Sequence, residues 1–194
     1  MCSLKKIVVQ FVIINASFFA ASWVNAQALF QQSSRDWDHF GDAKWEFSNN
    51  ELVGTISKGA GFAMTQQTFS DFILTLEFKP DSTINSGIYI RCGKKVINTT
   101  DCYEVNIWDS NPNQNYRTGA LVTKSNALAV VETRNQWNTL KIKFEKDHIQ
   151  VWVNNTLTTD TRDTMLSEGY IGLQALGNGE IRFRNINIES LKSK

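Results

Sequence analysis

Apolar residues recur at every second position through most of this chain. In "DFILTLEFKPD" Phe72, Leu74, Leu76 and Phe78 share one face, and Ile73, Thr75, Glu77 and Lys79 share the other. In "WNTLKIKFEKDHIQVWVNN" the inward set runs Leu140, Ile142, Phe144, then Ile149, Val151 and Val153. Period two marks a half-buried strand, and the 3.6-residue helix period is missing almost everywhere. Lys146-Asp147 is placed to turn one hairpin, and Asn154-Asn155 begins the next.

Further strands read from "ELVGTIS", "GFAMTQQ", "SGIYIRC", "YEVNIWD", "GALVTK", "GYIGLQAL" and "IRFRNINIESL". Short strands at regular spacing with turn chemistry between them predict an all-β sandwich or barrel. The Asn-rich "DSNPNQNYRTG" reads as a surface loop at one rim of a sheet. Only "DTMLSEG" offers a helical turn, stopped by Gly169. Two prolines, Pro80 and Pro112, and no low-complexity tract leave no place for an internal linker.

The N-terminus breaks the pattern. "MCSLKK" is short and basic, "IVVQFVIINASFFAASW" is mostly apolar, and "VNAQA" supplies small residues for cleavage after Ala26 or Ala28. These are the parts of a secretory signal peptide, and the apolar run is too interrupted for a membrane span. Residues 1–26 are therefore expected to be a leader. Residues 27–194 are expected to form one domain, secreted or periplasmic, with no membrane insertion after cleavage.

Removing Lys5 and Lys6 with the leader leaves 18 basic residues against 19 acidic, a net charge of −1. With no basic run, nothing favours nucleic acid as a partner. Cys2 also leaves, so Cys92 and Cys102 remain, each at the end of a predicted strand. In an exported protein they are expected to pair across "GKKVINTT", with two free buried thiols as the alternative.

Candidate chemistry gathers on the polar faces. If Tyr103, Val105 and Ile107 point inward, Glu104, Asn106 and Trp108 point away from the core. The preceding strand, with Ile88 and Ile90 inward, then turns Tyr89 and Arg91 outward beside them. Gln174 lies opposite Ile171 and Leu173, and Glu77 lies opposite Leu76 and Phe78. One concave sheet face is expected to collect these groups. An aromatic ring to cover a sugar face, with carboxylate, amide and guanidinium groups to bond its hydroxyls, is what a saccharide site needs. Cross-strand ion pairs on a solvated face are the alternative.

Other chemistries lack material. There is no phosphate-binding glycine loop. The only histidines, His39 and His148, sit in ordinary polar contexts, which leaves little for a nucleophile triad or a zinc site. Glu104 and Asp109 are five residues apart, on opposite faces of a regular strand, so one strand does not carry the two carboxylates of ordinary glycoside hydrolysis.

The ordered set "DFILTLEF", "NSGIYIR", "YEVNIWD", "TGAL", "QWNTLKI", "VWVNN", "GYIGLQ" and "FRNINIESL" resembles the 3-keto-disaccharide hydrolase domain family from about Trp37 to Leu191. That resemblance implies a concanavalin A-like lectin/glucanase jelly roll and exported proteins that cleave glycosides oxidised at C3. The C3 ketone acidifies the C2 proton, a base removes it, the C1 substituent leaves, and water adds to the enone. By the family pattern Glu104 is the candidate base or metal ligand, Arg91 the oxyanion partner and Gln174 a hydroxyl contact. Tyr89, Asn106, Trp108 and Glu77 complete the candidate substrate contacts, and a divalent metal is a candidate cofactor for the enolate oxygen. Two positions depart from the family. Asn106 stands where a glutamine is usual, and Leu176 stands where a histidine is often found. The second departure keeps a non-catalytic carbohydrate-binding module of the same fold as the other reading.

Overall fold

The computed structural model describes residues 26–28, 37–98 and 100–191. The expected leader lies outside the described residues as far as residue 25. Among the described residues thirteen strands follow one another: β1 (Ala26–Ala28), β2 (Trp37–Gly41), β3 (Lys44–Ser48), β4 (Glu51–Ile56), β5 (Ala60–Thr65), β6 (Phe72–Pro80), β7 (Ser86–Cys92), β8 (Tyr103–Ile107), β9 (Asn138–Glu145), β10 (His148–Val153), β11 (Thr156–Arg162), β12 (Tyr170–Leu176) and β13 (Gly179–Ser190). They form two antiparallel sheets. One has the order β11-β10-β9-β6-β13-β4-β3, with β1 also paired to β13, and the other has the order β2-β5-β12-β7-β8. This is the expected all-β sandwich.

The alternating residues build its middle layer. Phe72, Leu74, Leu76 and Phe78 of β6, Leu140, Ile142 and Phe144 of β9, and Ile149, Val151 and Val153 of β10 are buried on the eight-stranded side. Ile88 and Ile90 of β7, Tyr103, Val105 and Ile107 of β8, and Ile171, Leu173 and Ala175 of β12 meet them from the five-stranded side in one cluster. Burying each large side chain stabilises the sandwich by about 1.5–3 kcal/mol, which outweighs the weak local propensities of such short strands.

Hairpin turns follow their residues. Lys146 has φ 56°, and Asn154 and Asn155 have φ 48° and 63°, the left-handed values that tight turns demand and that Asn tolerates. Two expectations fail. "GALVTK" is not a strand: Leu121 makes only isolated bridges to Val105 and Ser125. The segment instead seals the open edge of β8, with Gly119 N donating to Asn106 O, Asn106 N to Ala120 O and Val122 N to Glu104 O. Edge carbonyls and amides are thereby satisfied without a further strand. "DTMLSEG" forms no helical turn. A 3₁₀ turn appears at Gln114–Tyr116 in the Asn-rich loop, where the Asn113 side chain accepts from Asn115 N. Among the described residues no helix is long and apolar enough to cross a membrane.

Candidate functional site

Strands β7 and β8 pair so that Tyr89 faces Glu104 and Gly87 faces Asn106. On the other flank of β7, Gly172 of β12 pairs with Tyr89, and β12 in turn pairs with β5 through Gly172 with Met64 and Gln174 with Phe62. Tyr89, Glu104 and Gln174 therefore stand together on the outer face of the five-stranded sheet. Gln174 Nε2 donates to the Tyr89 hydroxyl at 3.0 Å. The phenol in turn is hydrogen-bonded to the Glu104 carboxylate.

Two glycines keep this face close-fitting. A Cβ at Gly87 would meet Glu104 Oε1 at 3.0 Å, and one at Gly172 would meet Ile97 Cδ1 at 3.1 Å. The first leaves room for the carboxylate, and the second lets the loop after β7 lie down on the sheet. That loop is closed by the Cys92–Cys102 disulfide, as expected from the cysteine count. Ile97, Phe62 and Tyr170 pack around Met64, Tyr89 and the two cysteines. Lys95 fastens the loop to β2 through an ion pair with Asp38 and lies 4.9 Å from the Tyr170 ring centroid.

Under this cover Tyr89 is 5% exposed and Gln174 4% exposed. Burial raises the proton affinity of the Glu104 carboxyl above its ordinary value, with the Tyr89 hydrogen bond opposing in part. Burial, and then the neighbouring carboxylate, push the Tyr89 phenol strongly upward, so it stays protonated. Gln174 Oε1 is buried without a hydrogen-bond partner, and so is the side-chain oxygen of Asn85, the residue bridged to Leu176. Buried acceptors left bare are costly in a folded protein, and the one on Gln174, beside the raised carboxyl, marks a place prepared for a hydroxyl donor.

The remaining candidates lie elsewhere. Arg91 does not face outward. Between the Tyr170–Cys92 and Gly172–Tyr89 pairs the register slips, and Arg91 takes φ 51° in this bulge. The bulge breaks the alternation and turns the guanidinium into the core, 0% exposed and 3.3 Å from the Phe144 ring centroid. There it bonds Ser70 O, Lys146 O, Leu166 O and Asp71 Oδ1 at 2.8–2.9 Å. Glu77 is on the other sheet, where it accepts from Arg184 and Asn185. Asn106 shares the face with Glu104, but its amide donates to Tyr116 O and pins the Asn-rich loop. Trp108 lies beyond the end of β8 and lines a small cleft with Pro80, Asp81 and Arg134.

Neither histidine reaches the face: His148 pairs with Asp160, and His39 rests against Trp45. Asn85 escaped sequence reasoning because it precedes the strand and belongs to no alternating pattern. Among the described residues no cluster of three or more His, Cys, Asp or Glu side chains is set to hold a metal. Around Glu104 the other oxygens come from the protonated Tyr89 phenol and from neutral amides, and Leu176 adds none, so the residues present do not fit a resident divalent ion.

The model of the 3-keto-alpha-glucoside-1,2-lyase-like domain family matches residues 25–189. Among solved structures, a putative glycosyl hydrolase from Parabacteroides distasonis is similar at 24% identity and TM-score 0.76, over 86% of this chain and all of the other. The carbohydrate-binding module CBM66 from Bacillus subtilis is similar at 19% identity and TM-score 0.62, over 80% of this chain and 96% of the other. A Bacillus licheniformis β-glucanase gives 12% identity and TM-score 0.61, over 85% and 97%. At these identities the likeness is one of fold, a glucanase-like jelly roll. No curated protein matches the chain.

Proposed function

The chain belongs to the 3-keto-alpha-glucoside-1,2-lyase-like family, and from that premise we propose that it is an exported enzyme that cleaves 3-keto-glycosides with Glu104 as general base. The observation that carries the reading is the half-buried Glu104 carboxyl, shifted upward and held by Tyr89. A base that takes a carbon-bound proton near neutral pH works best when its own affinity is lifted toward that pH. Burial supplies that lift, and the phenol limits it.

The ketone at C3 makes the C2 proton removable. Glu104 takes it, the electron pair moves into the enolate, and the C1–O bond breaks with the pair leaving on the aglycone oxygen. Water then adds to the enone. Gln174, whose amide has a second N–H beyond the one given to Tyr89, is a donor for oxygen on which charge develops, and the bare oxygens of Gln174 and Asn85 accept from sugar hydroxyls. Arg91 has no part in this scheme, and neither does a metal.

A second reading rests on Leu176. A residue without a proton or a lone pair stands beside Gln174 where family members often carry histidine. A domain of this kind keeps the sugar site and lacks turnover. Release of the leaving group from a 3-keto-glucoside and from its unoxidised parent, with and without chelator, separates the two. Release from the keto sugar alone supports the enzyme, and binding without release from either supports the module.

A further inference from the structure

We propose that the outer face of the eight-stranded sheet carries a second saccharide-binding groove, remote from Glu104, which seats a sugar ring against Trp152 and favours chains with an acidic residue over Lys141. The groove has a volume of about 590 Å³, within the range of roughly 300–1,000 Å³ usual for small-ligand sites. Its shape follows from the strands. Thr75 of β6 and Thr139 of β9 are small residues on the floor. Lys141 and Trp152 rise on one side, and Asn185 and Asn187 rise on the other. The register of β13 against β6 slips between Arg184 and Asn187, and Asn185 takes φ 52° there. That bulge throws Asn185 outward and lifts this rim of the sheet.

The polar groups are arranged, not scattered. Glu77 accepts from Arg184 at 2.6 and 2.8 Å and from Asn185 Nδ2 at 2.7 Å, which fixes the Asn185 amide with its oxygen turned elsewhere. Arg184 is further held 3.9 Å from the Trp137 ring centroid. Asn187 Nδ2 donates to Asn185 O at 2.8 Å. Thr75 and Asn155, by contrast, carry hydrogen-bonding side chains that no described residue engages. Neutral amides and hydroxyls around one indole suit a hydroxylated ring, whose apolar face covers the aromatic while its edge bonds in two directions.

Charge narrows the class. Glu77 and Arg184 neutralise each other, whereas Lys141 has no acidic partner among the described residues and lies 4.9 Å from the Trp152 ring centroid. One uncompensated ammonium at the wall favours a carboxylate or sulfate on the ligand. The inference stands apart from the reading of Glu104, because the two faces belong to different sheets.

Binding to an array of neutral and acidic oligosaccharides tests it, with the unaltered protein compared with Trp152→Ala, Lys141→Ala, Thr75→Trp and Glu104→Gln. Thr75 is exposed, so filling the groove there leaves the core untouched. The expected result is a set of acidic glycans whose binding falls tenfold or more with Trp152→Ala and with Thr75→Trp, falls with Lys141→Ala, and persists with Glu104→Gln. If no glycan loses binding on Thr75→Trp while that variant melts like the parent, the groove is not a saccharide site. If Lys141→Ala leaves the bound set unchanged, the acidic preference is overturned and the groove takes neutral chains.

Discussion

Tyr89 and Glu104 face each other directly across β7 and β8, and the phenol hydrogen-bonds the carboxylate that burial has made reluctant to ionise. The pair restrains itself in both directions. The hydrogen bond eases the ionisation of Glu104, while the charge of Glu104 opposes that of Tyr89. Gln174 completes the chain by donating to the phenol oxygen, which leaves the phenol proton for the carboxylate.

Tyr89→Phe removes the group that lowers Glu104, so the carboxyl moves further up. A base must be deprotonated to act. The acid limb of the kcat/KM profile is therefore expected to move to higher pH, with the rate falling on the acid side of the profile. A pH–rate profile checks this. An unmoved acid limb would mean that Tyr89 does not tune the base.

Glu104→Gln is expected to cut turnover by about 10²–10⁴, the usual worth of a positioned base, with sugar binding retained. It should also stabilise the fold at neutral pH. The folded-state affinity of Glu104 lies above its ordinary value of 4.5, so the native protein holds more protons than the unfolded chain between the two values, and stability falls as pH rises through that window. Above it the ionised form carries the full cost, which glutamine lacks. Thermal melts of both proteins across pH should show a higher Tm for the variant at pH 7. The gain should shrink as pH drops through the folded value and be gone below the ordinary one.

Most of this fold could be read from alternation, because β4, β6, β9 and β10 bury every second residue and turns come at Asn and Lys-Asp pairs. The face carrying Tyr89, Glu104 and Gln174 was legible for the same reason. Alternation misled at Arg91 because it presumes a regular strand, and a bulge adds one residue that the pattern does not announce. Glu77 was misplaced for a different reason. Period two assigns a residue to the inner or outer side of a sheet, but not to one sheet or the other. Membership of a sheet is set by long-range pairing, and no local pattern contains it.

Arg91→Met tests the structural role. The substitution keeps much of the contact with Phe144 but leaves three carbonyls and Asp71 without their donor. Breaking a buried ion pair from one side costs about 3–5 kcal/mol. Urea unfolding is expected to show a loss of that size, while the folded fraction keeps its kcat. A collapse of kcat with unchanged stability would return Arg91 to the chemistry.

The disulfide gives a third handle on the site. Replacing both Cys92 and Cys102 by serine frees a loop with a sequence separation of 10, at an expected cost of about 2–3 kcal/mol. Ile97 would then be released from Gly172 and Tyr89, more water would reach the half-buried Glu104, and its carboxyl would fall toward the ordinary value. The prediction is a lower urea midpoint together with an acid limb shifted to lower pH, opposite to Tyr89→Phe. Equal pH profiles for the double serine variant and the parent would mean that the loop does not control the carboxyl.

Leu176→His addresses the choice between enzyme and module. Leu176 ends β12 two residues beyond Gln174, is half-buried, and bridges Asn85, whose side-chain oxygen is bare. An imidazole there meets an acceptor already in place, so one ring nitrogen has a partner and the other is left for a substrate or a proton. If the natural chain is a module, the variant is expected to gain release of the leaving group from a 3-keto-glucoside where the parent has none. If the natural chain is an enzyme, Asn85 and Gln174 already meet the substrate hydroxyls, and the added ring should crowd them and raise KM. Steady-state kinetics on the keto sugar read both outcomes. A parent that turns over, with a variant that binds less tightly, would place the chemistry on Glu104 and Tyr89 without help from position 176.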